Sequence, residues 1–347
     1  MSKKVKLAIV GLGWGYNYHI QRVREVPEAE LVAVADVSAD RLAKAKAEYD
    51  IPKTYTDAND LFEHADVDGV IIAVPNFLHR DFAVKAMECG KHVCLEKPIA
   101  PTVAQARDIA AARDRTGRIF MANFNQRFAP EIRYLKHLSE SGRFGDFLYG
   151  KTEWTRFRGI PWGASDWFVQ HEKSGGGPLI DIGVHRLDLA LFLMNFPKVK
   201  AVTGNVFRGQ SQKLAEKRGT VYDVEDAVSA YIQFENNAAL MLEASWYLNK
   251  PNADQNTEIY GTKGGFRLGG GGKDAVRICQ MESGDAYIDV NLINYDKDLP
   301  RHNIEHFVRV LAGREELLCT AEQAITGMEI IEAIYKSGET GKTVVFD

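Results

Sequence analysis

The sequence predicts a two-domain α/β chain. An N-terminal doubly wound parallel sheet is expected over residues 1–122, and an α+β domain with an open, mainly antiparallel sheet over 123–347. Three observations predict it. Short β-branched runs alternate with helix-length amphipathic segments in the first third of the chain. From Phe147 onward the pattern changes to strict strand alternation with tight turns. A length of 347 residues also exceeds what one hydrophobic core usually serves, which favours two domains with a substrate cleft where they meet.

The elements follow in order. The opening Met1-Ser2-Lys3-Lys4 precedes an apolar run, Leu7 to Val10, that Gly11 cuts short, so Val5 to Val10 reads as a first strand rather than a secretion signal. Leu31 to Ala35, Gly69 to Val74, His92 to Leu95 and Ile119 to Ala122 repeat that signature. Arg41 to Tyr49 and Arg80 to Cys89 have the length of crossover helices between parallel strands. Farther on, Val228 to Phe234, a turn at Asn236-Asn237, and Leu240 to Tyr247 form a hairpin pattern. Lys200 to Val206, Thr257 to Tyr260 and Ala286 to Val290 add strands, and Gly269 to Gly272 reads as a turn between strands because no helix opens after it. Residues 303–313 and 321–337 read as helices, the second broken by Gly338.

Composition narrows the function. Apolar residues make up 45%, charged residues 26%, and the net charge is -4, which suits a globular protein. Lysines and arginines are dispersed, so the basic patch of a nucleic-acid binder is missing, and no apolar run reaches the length of a membrane span. A cytoplasmic protein with a small-molecule partner is expected. Cys89, Cys94, Cys279 and Cys319 show no metal or dithiol spacing and are expected to be reduced, packed thiols, with no metal site.

Gly11-Leu12-Gly13-Trp14-Gly15-Tyr16 follows a strand and opens a helix, the setting in which backbone N–H groups can approach a pyrophosphate. Its third glycine is displaced to Gly15, where the G-x-G-x-x-G spacing would put it at Tyr16. Asp36 closes the second strand, where a carboxylate accepts both ribose hydroxyls and repels a 2′-phosphate, with no arginine immediately beside it. NAD is therefore expected over NADP, with Arg41 the residue able to swing toward a phosphate. His19 reads as a packing histidine. Asn76 and His79, at the carboxyl end of a strand, are open to a cofactor contact or a loop cap.

Two further segments carry chemistry. Glu96-Lys97-Pro98 stands at a strand end, and Gly175-Gly176-Gly177-Pro178 leads a helix on which Asp181, His185 and Asp188 share one face. In order along the chain come the glycine loop, Ala73-Val74-Pro75-Asn76 with His79, Glu96-Lys97-Pro98, Asn125-Gln126-Arg127-Phe128-Ala129-Pro130, and the G-G-G-x-L-x-D-x-G-x-H-x-x-D stretch ending at Asp188. With these motifs the chain resembles, over essentially its whole length, the glucose-fructose oxidoreductase and inositol dehydrogenase (Gfo/Idh/MocA) family. The resemblance implies a Rossmann domain followed by an open-sheet domain, assembled as a homodimer or homotetramer. It maps the family's reacting lysine, aspartate and histidine onto Lys97, Asp181 and His185, and it suggests a cis peptide before Pro98, which the sequence itself leaves open.

Those residue types suit alcohol oxidation. A neutral imidazole at His185 accepts the hydroxyl proton, an ammonium at Lys97 stabilises developing alkoxide charge, and Asp181 orients substrate hydroxyls or the imidazole. The cofactor set is Gly11, Leu12, Gly13, Trp14, Asp36, Ala73, Pro75, Asn76, His79, Glu96 and Lys97. The resemblance points to a sugar or a cyclic polyol such as an inositol as substrate. Asn125, Arg156, Arg158, Trp162 and Trp246 join Lys97, Asp181 and His185 as the substrate set, since aromatic and multiply donating groups suit a polyhydroxylated ring. The alternatives are an NADPH-preferring reductase, against which Asp36 speaks, and a nucleotide-binding sensor of the same fold, against which the intact Lys97, Asp181 and His185 set speaks.

Overall fold

The computed structural model describes residues 4–13, 15–161, 166–269, 276–280, 287–289 and 299–346. The chain divides into two compact units, Met1–Asn125 with Pro300–Ile325, and Gln126–Leu299 with Thr326–Asp347. The linear expectation of a boundary at 122/123 thus meets a first unit that also takes in a return segment.

In the first unit, β1 (Val5–Val10), α1 (Gly15–Arg24), β2 (Ala29–Ala35), α2 (Ala39–Tyr49), β3 (Lys53–Tyr55), α3 (Ala58–His64), β4 (Gly69–Ile72), α4 (His79–Glu88), β5 (His92–Glu96), α5 (Val103–Thr116) and β6 (Phe120–Asn123) alternate. The strands pair in parallel in the order β3-β2-β1-β4-β5-β6. Reversal of strand order beside β1 places the glycine loop at the switch point where doubly wound sheets bind ligands. Leu7, Ala8, Ile9, Val70, Ile71 and Ile72 are inaccessible, as strands covered on both faces must be. Ser38 caps α2 by accepting the Arg41 amide, and Thr102 caps α5 likewise. The return segment brings α10 (Asn303–Leu311) back, with Phe307 and Leu311 facing the space where a Cβ on Gly69 would stand.

The second unit comprises α6 (Pro130–Glu140), β7 (Phe147–Thr155), α7 (His171–Ser174), α8 (Val184–Leu193), β8 (Val199–Phe207), α9 (Gln212–Arg218), β9 (Ala227–Phe234), β10 (Ala239–Ser245), β11 (Asp254–Gly261), β12 (Gly264–Leu268), β13 (Val276–Gln280), β14 (Tyr287–Asp289) and β15 (Val344–Val345). Its sheet runs β14-β13-β12-β11-β7-β10-β9-β8-β15. The pairing is antiparallel throughout except between β7 and β10, which run parallel. The expected hairpin is β9–β10, turned by Asn237 at φ 65°.

The division of the chain falls within α11 (Ala321–Thr340). Gly338 does not end that helix, contrary to expectation. A Cβ there would stand 2.6 Å from Val206, so the glycine serves close helix-to-sheet packing. Of the expected turn at Gly269 to Gly272, only Gly269 is among the described residues; of the expected strand at Ala286 to Val290, only 287–289. Cys94 and Cys319 are buried as expected, but Cys89 is half-buried and Cys279 is exposed. Among the described residues no helix is long and apolar enough to cross a membrane.

Candidate active site

The first unit carries the expected cofactor residues. β1 delivers Gly11 at φ +94°, donating to Ala35 O at 2.8 Å, and a Cβ on Gly11 would fall 2.2 Å from the Ala73 carbonyl. Only glycine lets the loop pass so close to the end of β4. A Cβ on Gly13 would meet nothing within 4 Å, which leaves its backbone open to an incoming group just before α1 begins. Asp36, at the end of β2, accepts the Leu12 amide at 2.7 Å on Oδ2 and the Ser38 amide at 2.8 Å on Oδ1. These bonds fix the carboxylate while leaving each oxygen a lone pair for a ribose hydroxyl. The residues present therefore fit a dinucleotide. One expectation changes: the first turn of α2 brings Arg41 Nη1 to 3.5 Å from Asp36 Oδ1, so an arginine does stand beside that carboxylate.

Around Lys97 the chain is tied down by its neighbours, and the Lys97–Pro98 peptide is cis. Glu96 Oε1 accepts from Asn123 Nδ2 at 2.7 Å and lies 2.9 Å from His19 Nε2, while Oε2 accepts the Lys97 amide at 3.2 Å. Burial pushes the Glu96 carboxyl up, but the hydrogen bond and charge of His19, the charge of Lys97 and the Asn123 amide outweigh it, holding the group below its ordinary value. Glu96 is thereby a brace for the strand end that carries Lys97. His19 has a definite task, anchoring Glu96 from α1, that its sequence context did not signal. Asn303 of the return segment continues the chain of bonds to Asn123 at 2.5 Å, and Asn125 Nδ2 donates to Tyr18 at 3.4 Å.

His79 differs from a direct cofactor contact. Both ring nitrogens face carbonyl oxygens, Pro98 at 2.7 Å and Val74 at 2.8 Å, and burial lowers its pKa. The ring clamps the loop after β4 to the loop after β5. Ala73 and Pro75 are half-buried and Asn76 is buried. Trp14 and Trp162 lie outside the described residues.

The second unit carries the expected Asp181 and His185. The glycine stretch is clamped by Glu225, a fully buried carboxylate that accepts the Gly177 amide at 2.9 Å, the Leu179 amide at 3.0 Å and the Tyr335 hydroxyl at 2.9 Å. The helix start is thus neutralised by the chain itself. A π turn, Leu179–Gly183, leads into α8, with Gly183 close against Ala244. Asp181 and His185 emerge half-buried. Asp188 does not join them: it is buried against Arg127, receiving Nε at 2.9 Å and Nη2 at 2.5 Å.

Trp246, expected to touch substrate, is instead fully buried and donates Nε1–H to Asp181 Oδ2 at 3.1 Å. The half-buried Trp154, which sequence reading missed, carries the His185 ring at 5.8 Å between centroids and the Arg156 guanidinium at 5.3 Å. Arg158 is exposed, over Tyr247 at 4.1 Å, and donates to Leu248 O and Asn249 Oδ1. Among the described residues no group of three or more His, Cys, Asp or Glu side chains is placed to hold a metal ion.

Fold and glycine loop define a dinucleotide-binding enzyme. Residues 5–124 match the oxidoreductase family, NAD-binding Rossmann fold, and residues 136–346 match that family's C-terminal alpha/beta domain. The chain belongs to the Gfo/Idh/MocA oxidoreductase family, as its motifs implied. It is 30% identical to the D-glucoside 3-dehydrogenase of Escherichia coli (strain K12), over 99% of this chain and 98% of that one. Identity is 28% with the scyllo-inositol 2-dehydrogenase (NAD(+)) of Bacillus subtilis (strain 168), over 100% and 98%. The fold is shared with the aldose-aldose oxidoreductase of Caulobacter crescentus complexed with glycerol, at a TM-score of 0.84, 24% identity, and coverage of 99% and 100%.

Proposed function

We propose that this oxidoreductase is an NAD(H)-dependent dehydrogenase acting on a hydroxyl-bearing carbon of a sugar or cyclic polyol, with Lys97, Asp181 and His185 as its reacting groups. The observation that carries the reading is the treatment of charge on one helix. Glu225 caps its start and Arg127 pairs with Asp188, while Asp181 and His185 stand half-buried, each against an indole. D-glucoside and scyllo-inositol, the substrates in the two relatives' names, support a polyhydroxylated ring.

When bound, the nicotinamide ring supplies the hydride acceptor or donor. His185 takes the hydroxyl proton as the C–H bond is lost, Lys97 stabilises the developing alkoxide, and Asp181, held by Trp246, orients the substrate. The braced Asp36 carboxylate supports NAD; Arg41 at 3.5 Å is the observation that favours a second reading, in which NADP is also accepted. Exposed Tyr149, Tyr231 and Met241 on the open face of the second sheet support a homodimer or homotetramer.

His185→Ala is expected to lower kcat by about a hundredfold or more, and Lys97→Met comparably, while NAD binding is kept. Steady-state kinetics with a separate NAD titration decides this. Retained turnover in a folded His185→Ala enzyme removes that residue as the base.

A further inference from the structure

Two residues along α8 from the neutralised Asp188 stands a cation that no group among the described residues neutralises. Arg186 is 6% exposed, and its Nε has no hydrogen-bond partner. Burial alone acts on the guanidinium, lowering its pKa to about 10, with no carboxylate among the described residues offsetting it. Among the described residues its guanidinium lies over the face of Trp154, 5.6 Å away, the same indole that carries His185.

A buried charge is costly unless it is paired. Other buried charges described in this unit have their bonds met: Arg127 holds Asp188 through two bonds, and Glu225 and Asp226 each collect three donors. An arginine kept in such surroundings without an anion is a receptor for one, because its planar fork of donors matches a carboxylate or a phosphate oxygen pair. Its place beside His185, against one shared indole, puts that anion on the reacting molecule.

We propose that Arg186 is a specificity-determining residue that binds an anionic substituent of the substrate, making the preferred substrate an acidic or phosphorylated sugar rather than a neutral one. This rests on the dehydrogenase reading above and narrows its substrate class.

The test keeps the ring constant and varies C6: D-glucuronate, D-glucose 6-phosphate and D-glucose, with NAD and the full-length enzyme. One anionic ligand is expected to exceed glucose at least tenfold in kcat/KM, and the better one identifies carboxylate or phosphate. Arg186→Met is expected to lower the anionic-to-neutral ratio roughly ten- to a hundredfold, the worth of hydrogen bonds to a charged group. Arg186→Lys is expected to restore part of it. Thermal unfolding of the ligand-free Met variant is expected at or above the wild-type temperature, because an uncompensated buried charge has been removed. A wild type without anionic preference, or a Met variant that loses stability while keeping the ratio, overturns the proposal. Calorimetric binding separates the two readings. Anion binding that Arg186→Met abolishes, without turnover, keeps this inference and sinks the dehydrogenase; turnover without anionic preference does the reverse.

Discussion

Trp246→Phe isolates one hydrogen bond. The indole lies fully buried among Val169, Ile182 and Val224 and donates to Asp181 at 3.1 Å. Phenylalanine keeps an aromatic ring in that slot and removes the donor. A hydrogen bond to a charged group is worth about 1.5–3 kcal/mol, and each 1.4 kcal/mol is roughly tenfold in rate. If Asp181 must be held to orient substrate, kcat/KM is expected to fall roughly ten- to a hundredfold, chiefly in kcat. The smaller ring also costs stability, on the order of 1–2 kcal/mol, which urea unfolding measures independently. NAD affinity is expected to stay unchanged, since no cofactor residue is touched. Initial rates of NADH formation, read beside a dinucleotide titration, give all three quantities. A variant with kcat/KM within about twofold of wild type would refute the positioning of Asp181 by Trp246.

Two further outcomes follow from the first unit. Wild type is expected to prefer NAD by roughly tenfold or more in kcat/KM, equivalent to about 1.4 kcal/mol, and Asp36→Ala to shrink that gap while loosening the loop whose Leu12 and Ser38 amides it holds; equal use of NADP by wild type contradicts the role of Asp36. His302 caps α10 by accepting the Glu305 amide on Nδ1, and burial, then Arg22, lowers its pKa to about 4. The fold therefore favours the neutral ring. Its stabilisation is present above the unfolded value near 6.5 and is lost as pH falls from there toward 4, by about 2 kcal/mol after allowing for screening. In His302→Asn, which keeps a cap acceptor that does not titrate, urea unfolding between pH 7 and 4.5 is expected to show a shallower pH dependence; an unchanged slope removes His302 as the cause.

Much of this was legible in local pattern, because parallel strands buried on both faces write themselves as apolar runs and a hairpin as alternation around Asn236-Asn237. The parallel pairing of β7 with β10 was not, since it joins strands more than eighty residues apart with no local signal. Nor was the return of α10 to the first unit, or the continuation of α11 through Gly338, whose cause is Val206 on another element. The motifs named Asp36, Lys97, Asp181 and His185 as candidates, but not the groups that touch them. His19 reads as a packing residue, and Glu225, Trp154 and Arg186 carry no local signal of a role. Only tertiary structure sets His19 on Glu96, Glu225 on the glycine stretch, and Arg186 buried over Trp154 without a counter-ion among the described residues.

The central claim, hydride transfer between a hydroxyl-bearing ring carbon and NAD, is tested most directly by NADH formation from a panel of glucosides, inositols and acidic sugars, each run beside its ring-deuterated form. Stoichiometric NADH is expected from at least one of them, slowed when deuterium occupies the oxidised carbon. Tight NAD binding with no NADH from any member of the panel contradicts it and leaves a nucleotide-binding sensor built on the same fold.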